Sequence, residues 1–255
     1  MRILVFSIFF LVIISAAFSD EKSNRVFVDT FLEAVRDRNT DKIADLIHYP
    51  LRRQYPLPDI YDREEMIKRF SQVFDASLMN IIENSSFEND WSAVGWRGIM
   101  LNNGLVWINY DGKISNINHR SLYETETRNN IIFEMKNNIY ETLREFKDPV
   151  LFAETENHIL RIDLLHDHNY RLTLWPKGKE QTEIPDLILL NGRVTFDGTM
   201  GNRHFIFYRS DEQYILYVTV YDINHGEFVI YRGNTYWLED ETNIVLRELI
   251  EAIEN

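Results

Sequence analysis

Near residue 90 the hydrophobic pattern changes period, and that change constrains the fold more than any other feature of the chain. Before it, apolar residues recur at three- and four-residue spacings, which gather them on one side of a helix. Phe27, Phe31 and Val35, with Val28 and Leu32 beside them, predict a helix over residues 26–38. Asn39 interrupts it, and Thr40 can cap a short second helix reaching Ile47. Pro50, Pro56 and Pro58 keep residues 49–59 out of any long helix, because each lacks a backbone donor and restricts the residue before it. Asp62 followed by Glu65 reads as a capping box opening a helix over 63–74, with Met66, Ile67, Phe70 and Phe74 inward. Leu78, Ile81 and Ile82 suggest one more short helix.

Past residue 90 the pattern alternates as strands do. Asn103-Gly104 and Asp111-Gly112 tolerate the positive backbone angles of tight hairpin turns, so strands are expected over 96–101, 105–110 and 113–117. Val106, Ile108 and Tyr110 would share one face, Leu105 and Trp107 the other. Residues 122–147 read as a long helix with Ile132, Met135, Ile139 and Leu143 near one face, ended by Asp148-Pro149. Seven apolar runs follow, over 159–165, 170–175, 187–190, 193–196, 203–209, 213–220 and 227–232, with Asn191-Gly192 and Asp197-Gly198 among the breaks. They predict an antiparallel meander, as a sandwich or small open barrel, and an amphipathic helix over 239–255 closes the chain. The expected class is α+β: N-terminal helices on a curved antiparallel sheet, then a mainly antiparallel β region with a C-terminal helix. The expected divisions are a signal peptide over 1–19, an α+β domain over 23–121, a linking or packing helix over 122–148 and a β domain over 149–255.

Arg2, the apolar run from Ile3 to Ile14, and the small residues around Ser15-Ala16-Ala17-Phe18-Ser19 form the pattern of a secretory signal. The run is shorter than the roughly 20 residues a membrane-spanning helix needs. Export to a bacterial periplasm or medium is therefore expected, with no stable membrane span after cleavage. The 255 residues include no cysteine, which excludes disulfides, thiolate metal sites, a thiol nucleophile and lipoprotein acylation. A formal charge of −13 repels phosphate backbones, so nucleic acid is not an expected partner. Residues 20–121 carry 16 acids and 13 bases, whereas 122–255 carry 24 and 13. Acidity belongs mainly to the second half, where a basic partner would dock.

The helix Phe27 to Arg38, the segment Ile47-His48-Tyr49-Pro50-Leu51, and the pair Gly95-Trp96-Arg97-Gly98-Ile99-Met100 with Gly104-Leu105-Val106-Trp107 carry a resemblance. Residues 23–121 resemble the nuclear transport factor 2-like fold, a cystatin-like cone of helices on a curved antiparallel sheet. The resemblance implies a pocket between sheet and helices. It leaves function open, because members range from isomerases and dehydratases to purely binding domains. Its enzymes often pair a carboxylate base with a tyrosine or arginine, which makes Tyr49, Arg53, Asp59 and Tyr110 the catalytic candidates, with Arg52, Tyr55 and Asp111 beside them. A carboxylate against an apolar wall gains basicity, and a phenol can donate to a developing oxyanion. The plainer reading makes Asp111 a turn residue and lets Arg52 and Arg53 pair with nearby acids such as Asp59.

His166 and His168 flank Asp167 and could reach a metal from one face of a strand, but a polar turn is the plainer reading and no metal is expected. The chain contains no G-x-S-x-G, S-x-x-K or glycine-rich phosphate loop, and no cofactor is expected. Trp91, Trp96, Trp107, Tyr217 and Tyr221 are the candidates for a ligand or partner surface, since flat amphipathic rings give contact area at low entropic cost. The leading expectation is an exported, non-enzymatic protein that binds a macromolecule or a small ligand. One alternative is a pocket isomerase, dehydratase or hydrolase acting on a small apolar molecule; the other is an acidic immunity or inhibitor protein.

Overall fold

The computed structural model describes residues 22–154, 158–197, 202–210, 212–218 and 226–232. The signal peptide expected over 1–19, the helix expected over 239–255, and Tyr221 lie outside the described residues. The chain divides into two compact units between Asn129 and Asn130.

In the first unit, side-chain caps set the helix starts. Helix α1 covers residues 22–36. The cap of α2 (Thr40–Asp45) is Asn39, not Thr40, and its side chain accepts from Lys42 N at 2.9 Å. Asp62 caps α3 (Arg63–Val73) by accepting from Glu65 N at 2.8 Å, while Glu65 reaches back to Tyr61 N at 3.0 Å. Asp75 caps α4 (Ala76–Glu83) through Leu78 N at 2.8 Å. The four residues of α5 (Phe87–Asp90) lead into the first strand.

The sheet has four strands, β1 (Trp91–Ala93), β2 (Ile99–Leu101), β3 (Val106–Ile108) and β4 (Ile114–Ile117), antiparallel and in chain order. Alternation sends Ile99, Leu101, Val106 and Ile108 to the helices, and a register shift opposite Trp107 and Ile108 brings both Ile114 and Ile117 of β4 to the same side, where each of the six is at most 2% exposed. They form one core with Phe31, Val35, Ile43, Leu51, Ile60, Met66, Val73, Leu78 and Ile82. Each such side chain contributes roughly 1.5–3 kcal/mol by leaving water. Tyr110, expected on the face of Val106 and Ile108, lies past the end of β3 and is exposed. Trp96 lies in a 3-10 turn over Gly95–Arg97 rather than in a strand.

Helix α6 (Leu122–Asn137) begins where Ser121 Oγ accepts from Glu124 N at 3.0 Å and donates to Gln72 O at 2.5 Å. Ser121→Ala removes both bonds and is expected to lower stability by about 1 kcal/mol in urea unfolding. The helix stops ten residues before the expected Lys147. Asn138 ends it, donating to Glu134 O from both its backbone and its side chain. Ile139 and Leu143, expected on the helix face, lie beyond that end and pack against Trp175.

In the second unit β5 (Asp148–Glu154), β6 (His158–Leu164), β7 (Tyr170–Pro176), β8 (Leu187–Asp197), β9 (Asn202–Arg209), β10 (Glu212–Val218) and β11 (Gly226–Arg232) pair antiparallel in chain order. Among the described residues they hydrogen-bond as one seven-stranded sheet. Asn191-Gly192, expected as a break between strands, lies inside β8 instead. Asn191 takes φ 59°, the register shifts there, and Gly192 lets the Phe207 ring lie where a Cβ would come within 2.1 Å of it. Asp148-Pro149, expected only as a helix stop, opens β5, an edge strand where the missing proline donor is tolerated. Leu160, Ile162, Leu172, Leu189, Phe205, Phe207, Tyr214 and Leu216 form the apolar core of this unit. The fold is α+β, and no helix of the described residues is long and apolar enough to cross a membrane.

Candidate functional site

Three of the four catalytic candidates sit around the loop over residues 49–60, and each is occupied by a bond that shapes that loop. Leu51 and Ile60 close it with backbone bonds of 2.8 and 3.0 Å. One Asp59 oxygen accepts from Arg53 N at 2.7 Å, and the other accepts from Arg52 at 3.1 Å. The Arg53 side chain donates to both oxygens of Glu124, to Ile117 O at 2.7 Å and to His119 O at 2.8 Å. With side-chain exposures of 3% and 2%, Arg53 and Glu124 form a buried pair joining loop, sheet and helix α6. Sequence spacing gives no hint that Arg53 would meet Glu124, 71 positions away.

Tyr49 Oη donates to Ala44 O at 2.9 Å. Burial pushes its phenol up from 10.0 to about 12, with Arg63 opposing and Asp45, Asp62 and Glu64 adding smaller effects. The fold therefore favours the neutral phenol. Its contribution to stability is complete below about pH 10 and is lost as pH rises through about 12. Urea midpoints measured across that window should fall in the native protein, and the part due to Tyr49 should be missing in Tyr49→Phe. Tyr110 lies away from this loop, donating its hydroxyl to Gly95 O.

His166 and His168 occupy the turn between β6 and β7 and are exposed. Leu165 N bonds Asn169 O at 2.8 Å, His168 takes φ 67°, and the Asp167 carboxylate accepts from Asn169 N at 3.0 Å. Those bonds from Asn169 hold the Asp167 carboxyl below its ordinary range. No group of three or more metal-ligating side chains occurs among the described residues.

The aromatic candidates separate clearly. Trp91 is a core residue, 6% exposed, with its ring edge-on to Phe31 at 6.3 Å and its indole donating to Ser85 Oγ at 3.1 Å. Tyr217 pairs through its backbone with His204 and Glu227 in the second unit. Trp107 lies on the outer face of the first unit's sheet, and Trp96 is exposed in the turn that precedes β2. The directly paired residues Met100, Trp107 and Asn116 point away from the helices, each partly exposed. Arg97 stands over the Trp107 ring at 5.5 Å, while Gly104 lies beneath its indole, where a Cβ would approach to 3.0 Å. Next to it the turn over Gly95–Arg97 holds Trp96 with 50% of its surface in solvent.

That turn is fixed from several sides. Val94 N bonds Gly98 O at 2.8 Å, and the Tyr110 hydroxyl takes Gly95 O. Gly98, at φ 95°, sits so close to β3 that a Cβ would come within 2.1 Å of Ile108 O. No protein-family model, curated protein or solved structure matches the chain. Sequence reasoning named Trp96 and Trp107 as surface candidates and Tyr110 as a catalytic one, and did not name Arg97, Gly98 or Met100 as site residues. The Gly-Trp-Arg-Gly bracket was the available signal, because two glycines three apart around a tryptophan mark a turn that presents a ring.

Proposed function

We propose that the chain is an exported binding protein whose first unit recognises a macromolecular partner through Trp96, Arg97, Trp107 and Tyr110. The observation that carries this reading is Trp96, half in solvent on a turn whose backbone is already held. A ring carried on a held backbone loses less conformational freedom on binding, so more of its buried area strengthens the complex. Tryptophan and arginine are also the residue types that dominate binding hot spots.

Two further features support the reading. Apolar side chains of the helices and the sheet pack into one core, and Tyr49, Arg53 and Asp59 are engaged in loop and interlayer bonds. The order of helices, proline-bearing loop, helices and four-stranded meander supports kinship with the nuclear transport factor 2-like cone, used here for its outer sheet face. Export rests on the apolar run after Arg2. The test is a pull-down from envelope extract with the mature protein and its Trp96→Ala variant side by side. The proposal expects a partner retained by the first and lost by the second; an identical retained set, or none, overturns it.

A further inference from the structure

In the second unit, β6 and β7 bury more positive than negative charge on one face. Arg161 stands opposite Thr173, and Asp163 opposite Arg171, so the four side chains occupy the corners of a square on that face. Their exposures are 1%, 0%, 0% and 4% for Arg161, Thr173, Asp163 and Arg171. Residues 139–146 cover them: Arg171 donates to Leu143 O at 2.6 Å and Glu145 O at 3.4 Å, and the Phe146 ring lies 4.8 Å from the Arg161 guanidinium. The Lys136 ammonium rests 4.6 Å from the same ring and adds to the positive field.

Asp163 balances only one of the two guanidiniums. Its Oδ1 accepts from Arg161 Nε at 2.8 Å and its Oδ2 from Arg171 Nη2 at 2.8 Å. Among the described residues it is the one carboxylate paired with either arginine. Three polar atoms of the square are buried without a hydrogen-bond partner among the described residues: Arg161 Nη2, Arg171 Nε and Thr173 Oγ1. Arg161 Nη2 is 2.8 Å from Asp163 Oδ1, close enough for attraction but out of line for a hydrogen bond. All three can donate. An excess charge with idle donors in an apolar setting is costly, and it calls for an acceptor.

We propose that this face holds one small monovalent anion, chloride in ordinary buffers, bound by Arg161, Arg171 and Thr173. A water molecule fits the chemistry less well. It could accept from two of the donors, but its own hydrogens would then face guanidinium groups and the rings of Phe146 and Trp175, and the net charge would stay. A halide accepts from all three, donates nothing and cancels the excess. Arg161 and Thr173 stand directly opposed, about 5 Å apart, with Arg171 on the diagonal at about 7 Å, a spacing that the flexible guanidinium arms can close around a single small ion. Bound there, the ion fastens the 139–146 segment to the sheet through Arg171.

The test is thermal unfolding of the whole protein in chloride, bromide and gluconate at equal ionic strength, together with bromide soaks of crystals. The proposal expects the midpoint to stand about 3 °C or more higher in the halides, saturating with concentration. It expects that difference to vanish in Thr173→Val, which keeps the shape and loses the hydroxyl. The soak should show an anomalous peak within hydrogen-bond distance of Arg171 Nε and Thr173 Oγ1. Equal midpoints in all three salts, an undiminished difference in Thr173→Val, or a peak at the site without anomalous signal each overturn it. If Thr173→Val does not fold, the bromide peak decides.

Discussion

Glu124→Ala lowers the stability of the protein by about 3–5 kcal/mol in denaturant unfolding, because it leaves the Arg53 guanidinium buried without its counter-charge. The size of the effect follows from geometry. Both side chains are within 3% of complete burial, and the guanidinium meets the carboxylate with two parallel bonds. Its remaining donors hold Ile117 O and His119 O at the end of β4. Arg53→Met is expected to cost a similar amount for a different reason, since it strands those two carbonyls as well as the carboxylate. In the double variant no charge is left buried, so the loss should fall well short of the sum of the single losses. Additive losses would show that the pair is not coupled. The prediction also separates architecture from catalysis: a residue whose removal loosens the loop over 49–60 changes any activity through folding.

How much of this was legible beforehand depends on the range of the forces involved. Local signals were readable: Asp62 with Glu65, the strand alternation after residue 90, and the turn at Asp111-Gly112, where Gly112 takes φ 73°. The α+β class follows from those alone. Elements whose fate is decided by distant partners were misread. Residues 139–143 look helical by period, but Leu143 and Ile139 gain more by packing on Trp175 than by continuing α6. Asn191-Gly192 has the composition of a turn, yet the Phe207 ring makes it a bulge within one strand. Within the site, aromatic identity pointed to Trp96 and Trp107, while Tyr110 entered only as a catalytic candidate. Aromatic identity could not separate the two tryptophans from Trp91, because whether a ring faces the core or the solvent depends on strand starts. β1 was invisible at three residues, and Trp91 at its first position turns inward.

The second large effect concerns recognition. Trp96→Ala removes a ring that is half exposed and outside the core cluster, so its effect on stability should stay within about 0.5 kcal/mol. If that ring anchors a partner, its loss costs at least about 2 kcal/mol of binding, roughly a 30-fold weaker complex. Tyr110→Phe keeps the ring and loses only the bond to Gly95 O, which frees the turn without deleting the anchor. Its affinity should fall between the other two, through lost pre-organisation. The decisive measurement is the dissociation constant of the partner captured from envelope extract for native, Tyr110→Phe and Trp96→Ala protein, with unfolding midpoints recorded on the same samples. The account predicts affinity declining in that order, by about 30-fold from native to Trp96→Ala protein, with the Trp96→Ala midpoint unchanged. Equal affinity for native and Trp96→Ala protein would contradict it.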